Sequence, residues 1–234
     1  MQEFFVKKIS RPLIYSLLEN PITGQQIEDR SFAAIDAEAP AHGYSSQEWQ
    51  VVRRLIHTTA DFAMCGLVKF SPQAIAAAGV ALRSGAPIYA DSNMIRSGLS
   101  VARLKKLNPA YERESILCYV ADEDVVAEAK REGLPRSLFA IRKAGKKLDG
   151  AIVLIGNAPV ALLELNRMAV EDNIRPALVI GMPVGFVHVL ESKDELITTG
   201  LSYIVLNGRR GGSPLAVATL HALSVIAEQN VISV

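Results

Sequence analysis

The sequence predicts an α/β protein, a three-layer, doubly wound and mainly parallel sheet of about five strands with extra helices at its N-terminus. Two observations predict it. Five short apolar runs are bounded by turn residues and are near-continuously apolar, as strands covered on both faces are, whereas a half-solvated antiparallel strand alternates apolar with polar. Helical patterns fall between these runs, which makes crossover βαβ units the expected connection. Half of the 234 residues are hydrophobic and 21% are charged, which suits a globular chain with one sizeable core and excludes disorder and fibre.

Taken in order, the N-terminal part shows two helical segments, Ser31 to Ala39 and Ser46 to Phe62. The second is opened by Ser45-Ser46-Gln47-Glu48, in which Ser45 and Glu48 have capping-box spacing. The strands are Pro87 to Ala90, Ser115 to Val120, Ala151 to Ile155, Ala177 to Ile180 and Tyr203 to Leu206, all rich in β-branched or aliphatic side chains. The helices between and after them are Asn93 to Leu107, Asp122 to Glu132 extended by Arg136 to Lys143, Ala158 to Asp172, and Ser213 to Glu228. No Pro/Gly/Ser linker and no internal repeat interrupts the chain, so a single domain over residues 1–234 is expected, with the N-terminal helices against the sheet.

Charge and cysteine usage narrow the function classes. Twenty-five Lys and Arg against 24 Asp and Glu leave a formal charge of +1, no broad field for a phosphate backbone or an anionic membrane, so no nucleic acid and no membrane partner is expected. Cys65 and Cys118 lack CxxC or Cys/His spacing and sit in apolar stretches, which reads as buried reduced thiols in a cytoplasmic chain without zinc or another metal. The N-terminus MQEFFVKKISRPLIYSLLEN mixes charges among its apolar residues and has no signal-type core. The longest uninterrupted apolar run, Ala74 to Leu82, is far below the ~20 residues of a membrane span.

In doubly wound folds ligands lie at the carboxyl ends of the strands, so the loops beyond Asp91, Ala121, Gly156, Gly181 and Asn207 are where chemistry is expected. Asp91-Ser92-Asn93-Met94 would bring a carboxylate, an amide and a thioether to one rim. Gly156-Asn157-Ala158-Pro159 places Asn157 at an N-cap before a helix that Pro159 helps to start. Gly181-Met182-Pro183-Val184-Gly185-Phe186 combines glycines that admit a ligand to the backbone with apolar surface, a pattern that core packing also explains. Gly208-Arg209-Arg210-Gly211-Gly212-Ser213-Pro214 reads either as free helix-end amides flanked by two guanidinium groups, a receptor for carboxylate or phosphate, or as a tight turn with solvated arginines. It is neither GxxxxGK[ST] nor GxGxxG, so no nucleotide is specified.

Among the four histidines His57 is the most informative. Helical spacing puts Arg53, His57 and Asp61 on one line beside an apolar stripe of Trp49, Val52 and Ile56, so a carboxylate one turn on could orient the imidazole for acid-base work. The same position also fits a surface histidine on an amphipathic helix. His42, His188 and His221 have no ligand-spaced partner.

Read together, RSFAAIDAEA, RRLIHTTADF, YADSNMIRSG, GNAPVAL, GMPVGFVHVLESKDEL and GRRGGSPLAVATLHAL are very similar to the precorrin-8X methylmutase family of cobalamin biosynthesis, also called cobalt-precorrin-8 methylmutase. The resemblance runs from about Ser31 to the C-terminus, with residues 29–234 as the family core, residues 1–28 as an extension, and Ser92-Asn93 departing from the family pattern. It implies a homodimer of flavodoxin-like subunits that moves a methyl group between adjacent ring carbons of precorrin-8X or cobalt-precorrin-8, without organic cofactor or redox step. It places the catalytic histidine of the R-x-[IV]-H motif at His57, poised to protonate or hydrogen-bond a ring nitrogen, and substrate-facing groups at Ser31 and Arg136. The full substrate set expected is Ser31, Thr58 and Arg136, then Asp91, Asn93 and Met94, Asn157 and Ala158, Pro183 and Gly185, and Arg209 to Gly212 (Arg209, Arg210, Gly211 and Gly212). A non-catalytic corrin carrier is the alternative.

Overall fold

The computed structural model describes residues 11–232, so residues 1–10 of the expected extension lie outside the described residues. The chain divides into two compact units, one ending at Glu38 and the other beginning at Ala39. The N-terminal unit holds α1 (Ile14–Glu19) and α2 (Gly24–Glu38). The second helix begins upstream of the expected Ser31 because Thr23 and Gln26 form a capping-box pair, the Gln26 side chain accepting from the Thr23 amide at 2.8 Å and the Thr23 hydroxyl from the Gln26 amide at 3.2 Å.

The larger unit is built on a six-stranded sheet rather than five: β1 (Val68–Phe70), β2 (Ile88–Ala90), β3 (Ile116–Leu117), β4 (Ile152–Ile155), β5 (Leu178–Gly181) and β6 (Tyr203–Leu206), in the order β1-β6-β5-β4-β2-β3. Strands β2 to β6 are parallel to one another, and counted alone they run 2-1-3-4-5, the flavodoxin-like order. The added strand, β1, pairs antiparallel with β6, Lys69 opposite Val205. Only three residues long, with an exposed lysine at its centre, it carries the pattern of an edge strand and not the continuous apolar run of the interior strands.

Every residue of β2, β4 and β5 is buried, as two covered faces require. Val153, Ile155, Val179 and Val205 face a core made with α8 (Arg136–Ala144) and α9 (Pro159–Glu171). The alternate residues point to the other face, where α11 (Ser213–Ile232) packs on β4 and β5 and is itself covered by α3 (Ser46–Thr59) and α4 (Ala74–Ser84). The capping box of α3 forms: the Ser45 hydroxyl accepts from the Glu48 amide and the Glu48 carboxylate from the Ser45 amide.

Three helical expectations change. The span Asn93 to Leu107 is two helices, α5 (Asn93–Gly98) and α6 (Val101–Lys105), because the Ser100 hydroxyl caps a fresh start at Arg103 N. The expected Ser46 to Phe62 stops at Thr59, where Ala60 turns left-handed at φ 51°. Two further helices, α4 and α10 (Val189–Thr198), complete the crossovers, α7 (Glu123–Glu132) leading into α8 as expected. Cys65 and Cys118 are free thiols, half-buried rather than enclosed. Among the described residues no helix is long and apolar enough to cross a membrane.

Candidate functional site

The sheet reverses its winding between β2 and β4, and in open α/β sheets the crevice outside such a switch point is where ligands lie. Here the chain occupies it with its own carboxylate. Asp91, one residue beyond β2, accepts from the amides of Gly156 at 3.2 Å and of Asn157 and Ala158 at 2.8 Å each. It is 1% exposed; burial pushes its pKa up while the three amides pull the other way. Asp91 and the amides of Asn157 and Ala158, all expected at the substrate, satisfy one another, and of these groups the Asn157 side chain stands exposed at the rim. One expectation changes: the N-cap of α9 is Ala158, not Asn157, and no side chain caps the helix.

The loops after β5 and β6 are locked to each other in a similar way. A Cβ on Gly211 would stand 2.2 Å from the Met182 carbonyl oxygen and 2.6 Å from that of Pro183, so only glycine allows the two backbones to meet. Gly212 donates its amide to Met182 O at 2.9 Å and Gly185 donates to Arg209 O at 3.3 Å. Gly185, Gly211, Gly212 and the buried Pro183, all expected at the substrate, lie where these two loops join. The start of α11 has few amides to offer an anion, since Pro214 lacks one and those of Leu215 and Ala216 return to the Gly212 carbonyl. Lys193 of α10, 1% exposed, donates from Nζ to the carbonyls of Gly208 and Arg210 at 2.8 Å each, and burial brings its pKa down to about 8.

Two arginines ride on this fixed loop. Arg209 lies over the Phe186 ring, 5.5 Å from its centroid, and Arg210 forms an ion pair with Asp61. Asp61 is thus not stacked one turn from His57 as helical spacing suggested: the left-handed Ala60 ends α3 before it, and its carboxylate caps the following turn at the Ala63 amide, 2.8 Å away. His57 itself is half-buried in the last turn of α3.

An open cleft of about 400 Å³ lies between α3, α5, α6 and α11. It brings together two of the expected residues, Thr58 and Met94, the latter 66% exposed, on a floor of Pro214, Val217 and Ala218. Its walls carry Arg54 and Arg103, and no Asp or Glu lines it. His221 closes the inner end, its Nε2 accepting from the Ser100 amide at 3.1 Å. Burial, helped by the charges of Arg103 and Arg54, brings its pKa down to about 4, so it is a neutral acceptor that fixes the start of α6. Ser92 and Ser213 join the loops behind this cleft through a 2.9 Å hydroxyl pair.

The cleft joins an apolar floor to cationic walls, which suits a large, partly apolar molecule bearing carboxylates. Arg54, Arg103 and His221 were not singled out for this role from the sequence. Arg54 was within reach, since it precedes Thr58 by four residues on one helical row, whereas Arg103 arrives only because the chain breaks at Ser100 and α6 turns toward α11. Asn93 stands exposed one position from Met94 on α5. Ser31 lies on α2 of the N-terminal unit with its hydroxyl donating to the Ile27 carbonyl at 2.8 Å, and Arg136 is exposed at the first turn of α8, outside the cleft lining. Among the described residues no three His, Cys, Asp or Glu side chains converge to hold a metal ion.

Comparison with known proteins points the same way. The family model described as precorrin-8X methylmutase matches residues 26–226. A cobalt-precorrin-8 methylmutase of Leptospira interrogans is 44% identical over 214 residues, 88% of this chain and 95% of the relative. A precorrin-8X methylmutase of Pseudomonas aeruginosa is 39% identical over 207 residues, covering 88% of this chain and 97% of its own. The crystal structure of a precorrin-8X methylmutase from Thermus thermophilus superimposes with a TM-score of 0.80 at 46% identity, over 88% of this chain and 98% of the other.

Proposed function

The chain belongs to the precorrin-8X methylmutase family, and from that premise we propose that it isomerises precorrin-8X or cobalt-precorrin-8 in the cytoplasm, with His57 as proton donor and the arginine-walled cleft as the seat of the macrocycle. The family is one of isomerases of cobalamin biosynthesis, so a catalytic role stands above that of a corrin carrier. A methyl group leaves one ring carbon and bonds to its neighbour; no atom is gained or lost and no electrons are exchanged. A hydrogen bond or proton from His57 to a ring nitrogen near the migrating group would ease the shift, and the proton returns to His57 when the product forms.

The observation that carries this reading is the acid-free cleft at the end of α3, where Thr58, next to His57, meets Arg54, Arg103 and an apolar floor. A tetrapyrrole fringed with acetates and propionates matches that pairing of apolar floor and guanidinium wall. At about 400 Å³ the cleft is at the small end for a ligand site, and such a macrocycle would extend beyond it. That favours a homodimer in which a neighbouring subunit completes the enclosure, with the exposed Arg136 as the group that reaches across.

The test is to incubate the protein with each substrate form and follow the visible spectrum. Conversion to hydrogenobyrinate or cobyrinate is expected for at least one form, and His57→Ala should turn over ~10²- to 10⁴-fold more slowly while still binding the product. A protein that binds product and converts neither substrate is a carrier, and a His57→Ala variant within twofold of the wild type removes the histidine from its role.

A further inference from the structure

A second cleft, of about 420 Å³, lies on the other flank of α5 and is lined by Asn93, Arg96, Ser97 and Arg113. Asn93 and Ser97 share one row of that helix, while Met94 and Gly98, on the adjoining row, line the first cleft. The helix is thus a narrow wall between two hollows at the carboxyl end of the sheet.

The polar groups here are out of balance. Arg113 donates from Nη1 to the carbonyl of Leu99 at 3.0 Å and to that of Arg96, which satisfies the end of α5 and fixes the guanidinium without neutralising it. The Nε of Arg96 is buried with no hydrogen-bond partner, and neither arginine has a carboxylate partner among the described residues. A buried donor without an acceptor is costly, and two guanidinium groups lining one hollow repel each other. An oxyanion in the hollow offsets that repulsion, with the Asn93 amide and the Ser97 hydroxyl able to donate beside it.

We propose that Arg96 and Arg113, with Asn93 and Ser97, form an oxyanion subsite that takes one peripheral carboxylate of the substrate, reached across α5 from the first cleft. This rests on the isomerase reading above, because only a macrocycle with carboxylates at its fringe would touch both flanks of one short helix. Substrate lying on Met94 would be oriented by the subsite as well as held, since a carboxylate captured at one point on the rim fixes how the ring is turned toward His57.

The test is equilibrium titration with hydrogenobyrinate, with a fully amidated analogue of it, and with inorganic phosphate, on the wild type and on Arg96→Gln. Arg113 is left intact because it holds the end of α5. Arg96→Gln is expected to bind hydrogenobyrinate at least ~10-fold more weakly and the amidated analogue within about twofold, with no loss of thermal stability. Arg96→Lys, which keeps the charge and loses the planar fork, should fall between the two. Equal affinity of wild type and Arg96→Gln for hydrogenobyrinate, with wild-type turnover intact, overturns the subsite and leaves the isomerase reading standing. A loss of phosphate binding in Arg96→Gln with unchanged hydrogenobyrinate affinity would make the hollow a phosphate site and also overturn it. A wild type that neither binds hydrogenobyrinate nor converts substrate removes the isomerase reading, and the subsite with it.

Discussion

The crevice at the switch point and the cleft beside α3 and α11 are built from adjoining strand-end loops, yet one is sealed by the chain and the other is open. In the sealed region an internal anion, Asp91, meets three backbone amides. In the open region Arg54 and Arg103, both half-buried, wall a cleft whose described lining includes no Asp or Glu. The topology offers a ligand position at the switch point, but the residue that follows β2 decides whether a ligand can use it. With a buried carboxylate there, the amides of Gly156, Asn157 and Ala158 are satisfied internally, and the open hollow lies instead among the helices that cover the sheet. The absence of any phosphate-loop spacing in the sequence fits this displacement.

The largest effect on stability is expected where that internal anion is removed. Asp91→Ala would leave the amides of Gly156, Asn157 and Ala158 without their acceptor in a buried setting, and should lower unfolding free energy by about 3 kcal/mol, read as a fall of about 10 °C in the thermal midpoint. An unchanged midpoint would mean that the sealed crevice is not what orders these loops. The opposite pattern is expected in the open cleft. Replacing Arg103 by alanine should weaken hydrogenobyrinate binding at least ~10-fold, because a charge-assisted hydrogen bond contributes ~1.5–3 kcal/mol, with little change in midpoint. A large loss of stability with unchanged affinity would reverse the contrast between the two regions.

This contrast also marks how far the sequence could be read. The interior strands were legible because complete burial leaves runs such as Ile152–Ile155 with nothing but aliphatic side chains. β1 was not, since Val68–Phe70 is short and breaks its apolar character at Lys69. Helix α4 was hidden for the opposite reason: Ala74 to Leu82 is apolar without interruption and so lacks a polar face to reveal its period. At the site, Thr58 and Met94 were legible, one from its place beside His57 and the other from its place after a strand. The partner of Asp91 was not, because β2 pairs with β4 across an intervening strand and four helices, and nothing local records that register. Asp61 illustrates the converse error, in which helical spacing was extended one residue past a left-handed break.

His221 sharpens the open side of the comparison through pH. Its folded pKa, about 4, is below the ordinary value of 6.5, so the unfolded chain binds the proton more readily. The stability it contributes is therefore complete above pH 6.5 and is lost progressively as pH falls toward 4. Wild-type protein should lose on the order of 2 kcal/mol more than His221→Gln over that interval, measured by denaturant unfolding at fixed pH values. Parallel curves for the two proteins would show that the imidazole is not held neutral by the cleft.

The smallest effect is expected at the Asp61–Arg210 pair, which ties the sealed β6 loop to the end of α3. Its partners are 37% and 49% exposed, so water screens the attraction and a double-mutant cycle in stability should give less than about 1 kcal/mol of coupling. Its consequence for turnover is expected to be the larger one. Lys193 already fixes the loop carbonyls of Gly208 and Arg210, so the pair acts from a rigid base on a helix end that carries His57. Asp61→Asn should therefore lower kcat several-fold while product affinity stays within about twofold, because the histidine loses orientation and the cleft keeps its arginines. If instead product affinity falls and kcat holds, Arg210 is a substrate ligand that Asp61 merely aims, and the boundary between the joined loops and the open cleft runs through that arginine.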